Sequence, residues 1–212
     1  FKGIPGGDFL DYYHLDENNL VVILGDVMGK KWGAWYFAYA YAGYIRSALR
    51  SVLQNAKGYS PSEILQQVNL TVYGDTKISE VFATLSVIIL NNKTNELKYS
   101  GAGDIPIIYK NLDGELLSIK SKGLLLGFSK LGDYEDNIIQ LKKGEQVYLT
   151  TDGITDSRAK TLESFGEHRL YEIIKNIKVD ENPLEIIQKK FDEFTGSEYD
   201  DDISLILINV KK

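Results

Sequence analysis

Six short β-forming runs follow one another between Val81 and Thr151, and they limit the fold more than any other feature of the chain. The runs 81–90, 96–100, 105–110, 116–119, 137–141 and 146–151 are separated by turn signals at Asn91-Asn92, Asp113-Gly114 and Lys143-Gly144. Strands spaced so closely read as an antiparallel meander. An earlier run, 20–24 (Leu-Val-Val-Ile-Leu), is apolar throughout, as expected of a strand buried on both faces, and it delivers the chain to Gly25-Asp26-Val27.

Helices flank the strands in pairs. Residues 31–53 contain no proline and turn polar only from Arg46 onward, which predicts a long helix buried in its first half. Ser60 and Pro61 predict the N-cap and first position of a second helix, ending near Tyr73. Residues 162–178 and 182–194 read as two further helices, and 203–210 as a final apolar strand. Segregated helices and antiparallel strands predict an α+β layered sandwich, with two sheets face to face and helices outside.

Composition narrows the chemistry. The chain has 212 residues and no cysteine, which excludes a thiolate nucleophile, a disulfide and any Cys-ligated cluster. With His14 and His168 as the only histidines, a metal site must be built mainly from oxygen, and oxygen favours Mg²⁺, Mn²⁺ or Ca²⁺. A net charge of −6 argues against a nucleic-acid partner. The longest uncharged run, 32–45, is too short to span a bilayer, so no membrane contact is expected of this domain. No linker or repeat interrupts 1–212, which reads as one domain. An opening Phe1 without Met and without a signal sequence suggests a fragment of a longer protein, and the lack of cysteine fits a cytoplasmic setting.

The acids that carry chemistry sit beside glycines and strand ends: Asp8 and Asp11 after Gly6-Gly7, Asp26 after Gly25, Asp152 before Gly153, and Asp200-Asp201-Asp202 before the last strand. Taken singly, each of them reads first as a turn or a solvated loop. Four such groups are another matter, because carboxylates converging on one end of a sheet repel each other unless a cation neutralises them. Two cations bridged by a carboxylate suit in-line attack at phosphorus, and the Val27 carbonyl is a candidate ligand.

The order of these motifs resembles the metal-dependent protein serine/threonine phosphatases, the PPM or protein phosphatase 2C-like superfamily, and within it the bacterial SpoIIE/RsbU-like branch. The matching stretches are Gly6-Gly7-Asp8-Phe9-Leu10-Asp11, Gly25-Asp26-Val27-Met28-Gly29-Lys30, Val81-Phe82-Ala83-Thr84-Leu85 and Tyr99-Ser100-Gly101-Ala102-Gly103. Gly123-Leu124-Leu125-Leu126-Gly127, Thr151-Asp152-Gly153-Ile154-Thr155, Phe165-Gly166-Glu167 and Asp201-Asp202-Ile203-Ser204 follow in family order.

The resemblance implies a four-layer α-β-β-α sandwich, two mainly antiparallel sheets flanked by helix pairs, with two Mn²⁺ or Mg²⁺ ions at one edge. It implies that Asp26 bridges the ions, the Val27 carbonyl binds one, Asp152 and Asp201 bind the other, Asp8 holds metal-bound water and Asp202 supports Asp201. The implied activity is hydrolysis of phosphoserine or phosphothreonine by in-line attack of metal-bound hydroxide. The implied setting is bacterial signalling: an anti-sigma-factor antagonist as substrate, an upstream sensor domain, and a cytoplasmic catalytic domain that is part of a membrane-bound sensor in some architectures. A catalytically inactive binding module of the same fold is the alternative, and a phosphodiesterase acting on small molecules is a further rival.

The chain departs from its relatives in several places. Lys31 and Trp32 follow Gly29-Lys30 where relatives have a second glycine, Gly101 and Asp104 stand where Asn and His are usual, and Asp156 replaces the usual Glu. Met28 takes the place of a histidine and no arginine precedes Asp8, so no general acid is identified. The aromatic segment 32–44 reads chiefly as core packing, with a surplus that suits a partner or a second subunit as a homodimer contact. His14 and His168 read as surface residues, and Lys30 and Lys31 either guide phosphate or simply open a solvated helix.

Overall fold

The computed structural model describes residues 6–28, 34–55, 58–79, 81–178, 180–199 and 201–210, with side chains at 34–37 and 75–79 outside the description. In chain order the elements are β1 (Asp8–His14), β2 (Asn19–Met28), α1 (Ala34–Asn55), α2 (Pro61–Ser79), β3 (Phe82–Asn91), β4 (Glu96–Ala102), β5 (Ile107–Lys110), β6 (Leu116–Ile119), β7 (Asn137–Gln140) and β8 (Gln146–Thr150). The chain ends with α3 (Asp152–Asp156), α4 (Gly166–Asn176), α5 (Pro183–Thr195) and β9 (Leu205–Asn209). They form two compact units, one within Pro5–Pro106 and Lys120–Lys142, the other within Ile107–Ile119 and Lys143–Lys212.

The first unit carries a five-stranded antiparallel sheet in the order β1-β2-β3-β4-β7. Helices α1 and α2 pack on each other and on its central strands. Side chains alternate along a strand, so Val21, Ile23 and Val27 of β2 and Ala83, Leu85 and Val87 of β3 meet Ile45, Leu49, Ile64, Leu65 and Val68 of the helices. Each large aliphatic side chain withdrawn from water here contributes about 1.5–3 kcal/mol. Val22 and Leu24 on the opposite face are buried as well, as the uniformly apolar run predicts. Asp26 shares that second face, turned away from the helices. Helix α2 starts as predicted: Glu63 accepts from the Ser60 N–H at 2.8 Å while the Ser60 hydroxyl accepts from the Glu63 N–H at 3.4 Å, a reciprocal capping box.

The second unit carries a four-stranded antiparallel sheet in the order β6-β5-β8-β9. Its core joins Ile108 and Tyr148 of the sheet to Phe165, Leu170, Ile174, Ile187 and Phe191. Phe165 stands edge-on to Phe191 at 5.1 Å and to Phe194 at 5.3 Å. Helix α5 is capped at both ends: the Asn182 side chain accepts from the Leu184 N–H at 3.2 Å, and Gly196 takes the left-handed conformation (φ 71°) that donates its N–H to Asp192 O at 2.9 Å.

Several expectations need correction. The run 81–151 is not one meander, because β3, β4 and β7 belong to the first sheet and β5, β6 and β8 to the second. Turn signals report which strands form hairpins, and they are silent about which sheet receives each hairpin. The strand expected from 105 starts at Ile107, since Pro106 has no N–H to pair. The helix expected from 162 starts at Gly166, after Leu162 and Gly166 adopt positive φ and Arg158 bridges Ser164. Helix α2 runs past Tyr73, through Gly74, to Ser79, and the short helix α3 was not expected at all. Strand β1, whose seven residues mix charge and apolar character too evenly to announce themselves, forms the edge of the first sheet. Features placed on Gly29, Lys30, Lys31, Trp32, Gly33 and Asp200 lie outside the described residues, as do the side chains of 34–37. Within the described part of the aromatic segment, Tyr41 is buried and Tyr39 is 71% exposed.

Candidate functional site

The first unit gathers three of the expected ligands at one end of its sheet. Asp8 and Asp26 are direct partners across the antiparallel β1–β2 pair, and the Val27 N–H donates to Gly7 O at 3.1 Å. Asp26 is held from its other side by β3, where the Thr84 hydroxyl accepts from the Asp26 N–H at 3.2 Å. Gly7 supplies what no other residue could. A Cβ at this position would stand 2.3 Å from Asp26 Oδ1 and 2.4 Å from Val27 O, so both oxygens converge on one point in front of the glycine. Such distances are too short for carbon, so only glycine lets the chain pass this close to the two oxygens.

The second unit gathers the others. Thr151 leaves β8 and α3 begins at once, so Asp152 occupies its first turn. Thr151 and Ser204 are tied by two hydrogen bonds: the Thr151 N–H donates to Ser204 O at 3.2 Å, and the Thr151 hydroxyl accepts from the Ser204 N–H at 3.3 Å. This clasp sets the segment before β9 beside α3. Gly153 permits it, because a Cβ there would lie 1.9 Å from Asp202 O. The Asp152 carboxyl is raised above its ordinary value, first by burial and then by the negative charges of Asp156 and Asp201. A cation beside it would reverse that shift.

Asp8, Asp26 and Val27 therefore come together in one unit, and Asp152, Asp201 and Asp202 in the other. Among the described residues no group of three or more histidine, aspartate or glutamate side chains stands ready to hold a metal. The candidate donors are nevertheless all hard oxygen, the kind that suits Mg²⁺ or Mn²⁺. His14 and His168 are exposed, and His14 packs edge-on to Tyr12 at 6.5 Å.

Sequence reasoning missed the role of Thr84, and it noted Asp104 only as a departure. The Asp104 carboxylate accepts from the Tyr99 hydroxyl at 2.6 Å, the Ser121 hydroxyl at 2.6 Å and the Ser86 hydroxyl. Gly101 clears the space for it. The signal available was the pairing of Gly101 with Asp104, a small residue opposite a large polar one.

A family model described as Stage II sporulation protein E (SpoIIE) matches residues 16–211. The chain belongs to the SpoIIE family. Asp8 lies ahead of the matched SpoIIE segment, and the other expected ligands lie within it. Over 95% of its length the chain is 29% identical to protein IcfG of Synechocystis sp., and over 71% it is 29% identical to the phosphoserine phosphatase RsbU of Bacillus subtilis. It spans 35% and 44% of the length of those two proteins. The SiaA-PP2C domain of Pseudomonas aeruginosa superimposes with a TM-score of 0.82 at 20% identity, covering 96% of this chain and 80% of that one. The SpoIIE-family fold is thus the α+β arrangement of two antiparallel sheets found in PP2C-type domains.

Proposed function

We propose that this chain is a metal-dependent protein serine/threonine phosphatase that hydrolyses phosphoserine or phosphothreonine to the free hydroxyl and inorganic phosphate. The observation that carries the reading is the pairing of Asp8 with Asp26 at the end of the first sheet, where Gly7 lets the chain pass close to Asp26 Oδ1 and Val27 O. Asp26, the Val27 carbonyl and Asp8 in one unit, with Asp152, Asp201 and Asp202 in the other, are the ligands we assign to two Mn²⁺ or Mg²⁺ ions. When bound, such ions acidify a water and neutralise charge developing on phosphorus.

The remaining work falls to the chain. Thr84 helps fix the backbone from which the Asp26 carboxylate projects. The Thr151–Ser204 clasp holds Asp152 and Asp201 in a fixed relation, which keeps their mutual repulsion available to be relieved by a cation. Membership of the SpoIIE family and likeness to a phosphoserine phosphatase support the reaction class. The substrate we assign is a small phosphorylated signalling protein of the anti-sigma-factor-antagonist kind. The same reading makes the chain the cytoplasmic output of a sensor protein, for which the greater length of both relatives is the support. Among the described residues no helix is long and apolar enough to cross a membrane.

The test is phosphate release from a phosphoserine peptide and an aryl phosphate with Mn²⁺ or Mg²⁺, comparing the native chain with Asp26→Asn, alongside calorimetric metal titration. Metal-dependent release that disappears in Asp26→Asn is the expected result. Absence of metal binding would remove the assignment.

A further inference from the structure

Residues 124–132 form a loop whose base is closed by the Leu124 N–H donating to Gly132 O at 2.8 Å. Helix α2 then holds the loop through two side chains. Asn69, fully buried, accepts from the Gly127 N–H at 2.8 Å and donates to Ser129 O at 2.8 Å. Gln66 donates to Lys130 O at 3.0 Å and accepts from the Gly132 N–H at 3.3 Å. A loop tied at this many points is ordered, yet it presents Phe128 at 62% exposure and Leu131 at 69%. Large apolar groups held out on a fixed backbone cannot fold back to escape water.

The loop's position says what it meets. Leu126 donates its N–H to Ala83 O at 2.9 Å, and Ala83 is the β3 partner of Val27, so Val27, Ala83 and Leu126 lie in one row across the sheet. The Phe128 ring lies 6.0 Å from that of Phe82, itself the β3 partner of Met28. Met28 lies two residues beyond Asp26 on the same strand face and is 36% exposed. An apolar line of Met28, Phe82 and Phe128 therefore runs directly from Asp26.

We infer that Phe128 and Leu131, continued by Met28, are specificity-determining residues that dock an apolar side chain of the phosphoprotein substrate. This rests on the phosphatase reading, because anything seated on this line also covers the end of the sheet where Asp26 stands. Adjacent strands are about 4.8 Å apart, which puts Leu126 about 10 Å from Val27, and Phe128 is two residues further. An extended peptide advances about 3.4 Å per residue, so the docked side chain lies about three to five residues from the phosphoserine.

The experiment compares phosphoserine peptides that carry Leu or Ser three to five positions from the phosphoserine, with p-nitrophenyl phosphate as a substrate too small to reach the loop. The native chain with Mn²⁺ should prefer the Leu peptides by roughly tenfold in kcat/KM, the discrimination expected of one apolar side chain in a pocket. Phe128→Ser with Leu131→Ser should remove the preference and leave p-nitrophenyl phosphate turnover unchanged, and Phe128→Leu should restore most of it. Equal turnover of both peptides by the native chain, or a preference that survives the double variant, overturns the inference. Fluorescence anisotropy of the same labelled peptides separates the two readings. Discrimination in binding without any phosphate release would keep the docking surface and overturn the phosphatase.

Discussion

Asp8 and Asp26 face each other as direct partners across β1 and β2, two carboxylates on one strand face at the end of the first sheet. Like charges placed opposite each other weaken a strand pair, and on the proposed reading a divalent cation would relieve that penalty. Mn²⁺ at a hundredfold excess over its dissociation constant should stabilise the fold by about 2.7 kcal/mol, which for a chain of this size raises the unfolding midpoint by roughly 5–10 °C. Thermal melts with Mn²⁺ and with chelator measure it. Asp26→Asn should lose most of the shift, and no shift in the native chain would dismiss these ligands.

Gly7→Ala tests this close approach without touching a charge. The added methyl group lands on Asp26 Oδ1 and Val27 O and displaces both. Ångström-scale misplacement of reacting groups costs about a hundredfold in rate, so metal-dependent phosphate release should fall by about that factor. Overpacking at this edge should cost about 1–3 kcal/mol, read by urea unfolding.

Gly153→Ala makes the opposite claim to ordinary helix propensity. Within a helix alanine normally gains about 0.5–1 kcal/mol over glycine, but here its Cβ would meet Asp202 O at 1.9 Å. The variant should be less stable than the native chain in urea and should bind Mn²⁺ more weakly by calorimetry, because the segment bearing Asp201 is pushed off α3. A stabilised variant with native metal affinity would show that this segment moves freely.

Asp104 gives a pH signature. Burial holds its carboxyl above the ordinary aspartate value, outweighing the hydroxyls of Ser121, Ser86 and Tyr99 that favour the charged form. A raised native pKa means that the folded chain binds the proton more tightly than the unfolded one, so this contribution is complete below about pH 3.9 and is lost as pH rises through the native value. The stability of the native chain relative to Asp104→Asn should therefore decline from pH 4 upward and then level. Urea midpoints of both proteins across pH 4–7.5 measure the difference, and a gap that widens in favour of the native chain would mean that the hydroxyls dominate.

Much of the candidate site was legible because its residues declare themselves locally. Asp26 ends a uniformly apolar strand, Asp152 precedes a glycine, and Asp201-Asp202 precede the last strand. Each is a short-range pattern that survives without knowing the fold. Thr84 and Ser204 stood in matching stretches with no role attached, since a hydroxyl or a backbone group becomes a support only when a particular partner lies beside it. The Asn69 and Gln66 ties to the loop at 127–132 were equally invisible, because they join residues about sixty positions apart.

By itself the sequence determined that any metal site here draws mainly on oxygen, the capped start of α2, and most of the strand runs, because each depends on residue type and near-neighbour spacing. Tertiary structure alone decided which strands share a sheet, that Asp8 stands opposite Asp26, and that Gly7 and Gly153 mark close approaches rather than turns. Those outcomes depend on register, and register follows from burying the face of Val21, Ile23 and Val27 against α1 and α2. A shift of one residue would turn that face away from α1 and α2 and carry Asp26 in among them.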